Sequence, residues 1–255
     1  MACWPYAMFL KRSKVFDMTT DIVNNTRPAI LLVGASRGLG LAMASEFVKK
    51  GWSVVGTVRG GARTRLHDLA DQHPDRVEIH LLDITEPDQI AALRDRLAGR
   101  QFDMLFNNAG TANKNQGETI AEVSTEEFIH LMVANALSPM RVIETLQDLV
   151  PASGLLGIMS SGQGSVSNNN NGGHEVYRGT KAALNQYMRS FTARHADDPR
   201  AMVLIAPGWV RTDMGGDQGE ISVTESAQGL AKRIAALDLA QTGAFETWDG
   251  RAHPF

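Results

Sequence analysis

Between Ala29 and Trp248 the chain alternates short unbroken apolar runs with longer stretches whose apolar residues return every three or four positions. "AILLV" (Ala29–Val33) is such a run, bounded by Pro28 and Gly34, as expected of a strand buried on both faces. "LGLAMASEFVKKG" then switches to helical spacing and closes on Gly51, completing a strand-helix unit. The same test predicts further strands at "SVVGTV", "VEIHLL", "FDMLFNNAG", "GLLGIMSS", "AMVLIAPG" and "GAFETW". It predicts helices at "GARTRLHDLADQH", "EPDQIAALRDRLAG", 124–150, "EVYRGTKAALNQYMRSFTARHA" and "TESAQGLAKRIAAL". Pro87 and acidic residues open the third helix, and Ser124-x-x-Glu127 gives the long fourth one a capping-box start.

Strands separated by helices of this length argue for an α/β fold: a doubly wound parallel sheet of about seven strands with helices on both faces. No Pro-, Gly- or Ser-rich linker divides the chain, so a single domain over 28–255 is expected. Residues 1–27 read as an N-terminal extension with little fixed structure. Its apolar opening precedes Lys11, Arg12 and Lys14, the reverse of a secretory signal, and is too short to span a bilayer.

Composition narrows the field. A formal net charge of -3, with no basic cluster, provides no field to gather nucleic acid. The single cysteine, Cys3, makes no intrachain disulfide, and no Cys/His cluster offers a metal framework. A cytoplasmic protein with neither a nucleic-acid nor a membrane partner is the expectation.

Three segments carry candidate chemistry. "VGASRGLG" places Gly34-x-x-x-Gly38-x-Gly40 between the first strand and first helix. There glycines admit a pyrophosphate to the backbone, and the helix N-terminus offers free N–H groups. A tight turn is the competing reading. "NNAG" (107–110) follows the fourth strand, at the edge where parallel sheets hold ligands, although the same residues also make ordinary turns. Tyr177 and Lys181 are four apart, so on one helix they share a face. A phenol titrates near 10, and a neighbouring ammonium would favour its phenolate and suit it to proton transfer. That spacing alone also arises by chance on amphipathic helices.

The order of these motifs resembles the short-chain dehydrogenase/reductase family. The glycine turn matches its Thr-Gly-x-x-x-Gly-x-Gly with Val33 in the threonine's place, and "SSGQG" matches its catalytic-serine segment. The Ser-x-x-Gly phase selects Ser161 over Ser160. Asn135 in "VANALSP" and "PGWVRTDM" after the sixth strand complete the likeness. The tail "GAFETWDGRAHPF" resembles the C-factor/sniffer-like carbonyl reductase subgroup. The resemblance implies a single-domain Rossmann fold and a catalytic tetrad of Asn135, Ser161, Tyr177 and Lys181. In it Tyr177 exchanges the proton, Ser161 hydrogen-bonds the reacting oxygen, Lys181 holds the ribose and lowers the Tyr177 pKa, and Asn135 holds a water.

It also implies a nicotinamide dinucleotide held by Gly34, Ser36, Arg37, Gly38, Leu39 and Gly40 of the first turn, together with Tyr177 and Lys181. Asp83 and Ile84 would meet the adenine, Asn108, Ala109 and Gly110 the adenosine, and Pro207, Gly208 and Val210 belong to the segment whose Thr212 would contact the nicotinamide carboxamide or the phosphates. Asn107 would steady the central sheet. An acid after the second strand binds a free ribose diol, whereas this chain has Arg59 there and Arg37 in the turn, which favours NADP(H) over NAD(H). Arg59, Arg63 and Arg65 could instead merely solvate a loop, and Asp83 could be a helix cap. The expected activity is hydride transfer between nicotinamide and a small-molecule carbonyl or alcohol. The alternative is a regulatory or signalling protein of the same fold that binds NADP(H) with little turnover. The resemblance allows a homodimer or homotetramer.

The segment 211–223, rich in glycine, is expected to cover the cofactor as a lid. His174 is either a substrate contact or a solvated loop residue, and Trp209 either a pocket wall or core. The stretch "SVSNNNNGGHE" makes the Ser161-to-Tyr177 interval longer than the family's usual one, and it is expected to bulge beside the pocket without displacing Ser161.

Overall fold

The computed structural model describes residues 27–255. The expected extension over 1–27, with its aromatic and basic residues, lies outside the described residues except for Arg27, whose guanidinium donates to the Asp75 carboxylate at 2.8 Å.

The strands are β1 (Ala29–Val33), β2 (Ser53–Val58), β3 (Val77–Leu81), β4 (Met104–Asn107), β5 (Leu155–Met159), β6 (Ala201–Ala206) and β7 (Phe245–Thr247). All pair in parallel in one seven-stranded sheet, ordered β3-β2-β1-β4-β5-β6-β7. The helices are α1 (Gly38–Lys49), α2 (Arg65–Gln72), α3 (Pro87–Arg96), α4 (Thr125–Met132), α5 (Ser138–Leu146), α6 (Glu175–Arg194) and α7 (Val223–Ile234).

Strand side chains alternate between two cores, which explains why the central runs are almost wholly apolar, while the edge strand β3 carries Glu78 and His80 and is only partly covered. Leu31, Val33, Leu105 and Leu156 pack with Leu93 of α3, Ile143 of α5 and Leu184 of α6. Ile30, Leu32, Met104 and Phe106 pack with Phe47 of α1, Leu66 of α2 and Leu230 of α7. The sheet is therefore a single doubly wound layer, as the pattern predicts. Strand order reverses between β1 and β4, and at such a switch point the loops leaving neighbouring strands diverge and open a crevice at their carboxyl ends.

The long helix expected over 124–150 is interrupted. A π turn, Val133–Leu137, separates α4 from α5, and a 3₁₀ turn ends the run at Leu149. One extra residue in a turn leaves the apolar spacing almost unchanged, so the pattern reads as a continuous helix. The capping box forms by half: Ser124 Oγ accepts from Glu127 N–H at 3.1 Å, while the Glu127 carboxylate accepts from Lys114 N–H instead.

Helix α7 packs closely on the strand-end residue Trp248. A Cβ at Gly229 would overlap the Trp248 ring. In an open helix Gly→Ala stabilises by about 0.8–1 kcal/mol, whereas overpacking a core contact costs about 1–3 kcal/mol or more. Gly229→Ala is therefore expected to lower Tm by several degrees despite the gain in helix propensity. Calorimetry checks this, and a raised Tm would contradict the packing described.

Candidate active site

The glycine turn is closed on itself. Gly34, at φ 84°, has no room for a side chain, since its Cβ would lie 2.8 Å from the Ala109 backbone, and a Cβ on Gly40 would overlap the Gly34 carbonyl. Asn108 Nδ2 donates to the Gly34 carbonyl at 2.7 Å, so the "NNAG" loop braces the turn from β4. Gly34 N–H donates to Thr57 Oγ1 at 3.0 Å, so the hydroxyl absent at Val33 reaches the turn from β2 instead. This contact crosses two strands and no local signal in the sequence marks it.

At the start of α1, Arg37 is the N-cap without a side-chain cap bond, and the first turn holds no acid. The end with free N–H groups is thus open to an anion. Leu39 and Ile84 are packing residues, one partly and one fully buried. Asp83 Oδ1 accepts from Thr85 N–H and Oγ1 at 2.9 and 2.7 Å, so one carboxylate oxygen closes a local turn, while the N-cap of α3 is Glu86.

An open cleft of about 500 Å³ beside the turn is lined by Ser36, Arg37, Arg63, Thr64, Arg65 and Asp68. Arg63 is neutralised by Asp68 and Asp71 at 2.8 and 2.5 Å. Arg37 pairs with Asp213 of the 211–223 segment at 2.5 Å, both side chains being largely exposed. Arg59, just after β2, and Arg65 are exposed and form no ion pair among the described residues. That segment is tied across the crevice a second time, where Gln116 Nε2 donates to the Met214 carbonyl at 3.3 Å. Thr212 Oγ1 accepts from Gly215 N–H at 3.0 Å and holds the segment's turn, while Val210 is buried and bridges Ile221. Pro207 accepts from Ser226 Oγ at 2.7 Å, and Gly208 at φ 84° lies against Trp248. Trp209 is 51% exposed with its indole N–H on the Gly215 carbonyl, so it braces the segment and is no part of the core.

Ser161, Tyr177 and Lys181 meet past the end of β5. Ser160 turns inward, is 2% exposed and donates to Asn185 Oδ1 at 2.5 Å, leaving Ser161 as the serine that faces Tyr177. Ser161 caps the 3₁₀ turn Gly162–Gly164, accepting from Gln163 N–H at 3.2 Å. Lys181 is 4% exposed, and its Nζ donates to the Met159 carbonyl at 3.1 Å and lies 5.9 Å from the Tyr177 ring centre. Gly110 stands close by, its Cβ direction 3.5 Å from that Nζ.

Asn135, fully buried in the π turn, accepts from Thr111 N–H at 2.8 Å. It donates to the Thr111 carbonyl and to Thr180 Oγ1 at 2.8 and 3.1 Å. Both its donors are committed, so its side chain clamps the loop after β4 to α6. Asn107 is buried at the end of β4, with its Nδ2 on the Ala109 carbonyl. The stretch from Val166 to Gly173 is exposed and Ser161 stays beside Tyr177, so the extra residues bulge outward.

Burial sets the electrostatics. It lowers the Lys181 pKa to about 8 and pushes the Tyr177 phenol up, an effect that the Ser161 hydroxyl partly offsets. The depression of Tyr177 expected from Lys181 is not what the protein alone shows: burial of the phenolate raises the phenol, and the opposing contribution comes from the Ser161 hydroxyl.

A family model described as enoyl-(acyl carrier protein) reductase matches residues 34–245. A crystal structure of a short-chain dehydrogenase/reductase from Burkholderia multivorans with bound NADP is 58% identical, covering 90% of this chain and 100% of that one with a TM-score of 0.86. Carbonyl reductase Sniffer of D. melanogaster is 27% identical over 90% of this chain and 100% of its own, with a TM-score of 0.83. The 1-hydroxy-2-glutathionyl-2-methyl-3-butene dehydrogenase of Rhodococcus sp. (strain AD45) is 28% identical, covering 87% of this chain and 96% of its own.

Lys181→Met tests the burial directly. Below about pH 8 the folded protein must bury an ammonium that the unfolded chain keeps in water. Between about 8 and 10.5 only the unfolded chain binds that proton, so rising pH favours the fold. The variant should be more stable than wild type by about 2–4 kcal/mol at neutral pH, and the difference should vanish by about pH 10.5. Urea unfolding at both pH values measures it, and a variant less stable at neutral pH would contradict the account.

Proposed function

The chain belongs to the short-chain dehydrogenase/reductase family, and from that premise we propose that it is an NADP(H)-dependent oxidoreductase of the carbonyl reductase type. The observation that carries the reading is the meeting of Ser161, Tyr177 and buried Lys181, together with a glycine turn that has no room for a side chain at Gly34 or Gly40. That turn, the open N-terminus of α1 and the brace from Asn108 suit a pyrophosphate, and the NADP-bound neighbour supports the same cofactor here. When bound, the nicotinamide supplies or accepts the hydride.

The protein's own part is positioning and proton transfer. In carbonyl reduction the hydride joins the carbonyl carbon, the C–O π pair moves to oxygen, and the Tyr177 O–H proton passes to that oxygen to give the alcohol. Ser161 Oγ hydrogen-bonds the same oxygen as its charge grows. The raised pKa of Tyr177 keeps the phenol protonated and able to donate. Lys181, titrating at about 8, is largely an ammonium at neutral pH and stabilises the phenolate left behind until a proton returns from solvent. One of its three N–H groups is spent on the Met159 carbonyl, which leaves the others for ribose hydroxyls. Oxidation of an alcohol runs the same steps in reverse, with Tyr177 as base.

Preference for NADP(H) over NAD(H) rests on Arg37 at the cleft and Arg59 after β2, where a 2'-phosphate can exchange places with the Asp213 carboxylate on Arg37. An exposed ion pair contributes about 0–1 kcal/mol, so it yields readily to a phosphate.

Two measurements test this reading. Tyr177→Phe should lower kcat for NADPH-dependent carbonyl reduction by about 10²–10⁴-fold while NADPH still binds by fluorescence titration. Survival of turnover would remove Tyr177 from the chemistry. Arg37→Ala should weaken NADPH binding by about 10–100-fold and leave NADH binding unchanged. Equal losses for both cofactors would remove the phosphate argument.

A further inference from the structure

Three successive residues leaving β5 each meet a different side chain of α6. The Met159 carbonyl accepts from Lys181 Nζ at 3.1 Å, Ser160 Oγ donates to Asn185 Oδ1 at 2.5 Å, and Ser161 faces Tyr177. The three partners stand at 177, 181 and 185, four apart, so they line one side of that helix. Tyr177 and Lys181 serve the proposed reaction, whereas Asn185 is a buried amide, 2% exposed, that lies behind them with no part in it.

The amide is spent on both flanks of Ser161. Its Nδ2 donates to the Gly164 carbonyl at 3.2 Å, at the far end of the 3₁₀ turn that Ser161 caps. A carbonyl can only accept, so the amide nitrogen faces Gly164, the amide oxygen faces Ser160, and the Ser160 hydroxyl is the donor. Gly164 N–H in turn donates to the Ser161 carbonyl at 2.8 Å, and Ser160 N–H donates to the Ile205 carbonyl of β6 at 2.8 Å. The turn is seated directly on α6, since a Cβ on Gly164 would lie 2.9 Å from both Asn185 Nδ2 and Lys181 Cβ. Along the chain the turn reaches α6 only through the exposed stretch 166–173, and the Asn185 amide bypasses that stretch.

We propose that Asn185 is a positioning residue for the reaction: by bonding Ser160 and Gly164 it fixes the Ser161 hydroxyl against Tyr177 from the same helix that carries the phenol. It acts on the reacting oxygen only through Ser161. A hydroxyl that stabilises a growing charge works when it is held in place before the charge appears, and a small misplacement costs much of its effect. A buried network whose members satisfy one another supplies that rigidity, because each bond restrains and polarises the next. Leucine at 185 keeps much of the volume of the amide and removes the partner of both Ser160 and Gly164.

This inference rests on the oxidoreductase reading, and a double-mutant cycle separates the two. With NADPH and 4-nitrobenzaldehyde, kcat and NADPH binding are measured for the full-length wild type, Asn185→Leu, Ser161→Ala and the double variant. Asn185→Leu should lower kcat by about 10–100-fold while NADPH binds as before. In the Ser161→Ala background the same substitution should change kcat by less than about twofold, since the hydroxyl it positions is gone. Ser160→Ala, which trims a single hydroxyl, should give a smaller loss that also disappears without Ser161, and it carries the cycle if thermal unfolding shows that Asn185→Leu does not fold. A loss as large without Ser161 as with it overturns the inference, because Asn185 would then act by packing or through Lys181, and leaves the reductase reading intact. An undiminished kcat in both single variants overturns it equally. No reduction of this aldehyde by the wild type overturns the reductase reading and the positioning role with it.

Discussion

The site depends on a lysine ammonium kept out of water. Lys181 can sit 4% exposed only because the surrounding chain is built to admit it. The Met159 carbonyl at the end of β5 accepts from one of its N–H groups, and Gly164 leaves space where a Cβ would lie 2.9 Å from the Lys181 Cβ. Asn135 locks the neighbouring loop to α6 through Thr111 and Thr180. The cost of burial appears as a pKa lowered to about 8, and the stability lost there is recovered in the two cores on either side of the sheet. In the proposed reaction that same destabilised charge steadies a phenolate, so strain at one residue serves the chemistry at another.

The parallel sheet makes the arrangement reachable. Because every strand runs the same way, the turns leaving β1, β4, β5 and β6 share one edge. They bring the glycine turn, the "NNAG" brace, the Ser161 cap and the 211–223 segment together from four separate stretches of chain. The segment is held at both sides of the crevice, by Arg37 to Asp213 and by Gln116 to Met214. Such exposed contacts are weak enough to open for a ligand and definite enough to set where the segment closes.

Much of this was legible along the chain because it rests on local pattern. The apolar runs locate all seven strands, the glycine spacing locates the turn, and the Ser-x-x-Gly phase picks Ser161 over Ser160. What escaped was set by distant contacts. Thr57 holds Gly34 from a neighbouring strand, and Asp213 finds Arg37 across 176 positions, so neither pairing leaves a periodic trace. The π turn at Asn135 escaped because it shifts apolar spacing by a single residue. Tyr177 shows why charge counting was insufficient: spacing placed a lysine near it, but burial decides which way its proton affinity moves. His174 was ambiguous as a letter in an asparagine-rich loop, and its backbone conformation and unpartnered nitrogen separate it from its neighbours.

The most direct test of the central claim is the fate of the transferred atoms. In a single turnover with NADPH deuterated at the transferable nicotinamide C4 position and an excess of enzyme over ketone, mass spectrometry of the alcohol should find the label on the carbinol carbon. The hydroxyl proton should come from solvent, and the rate should collapse in Tyr177→Phe. Alcohol formed without the label, or labelled alcohol formed as fast without the Tyr177 hydroxyl, would contradict the account.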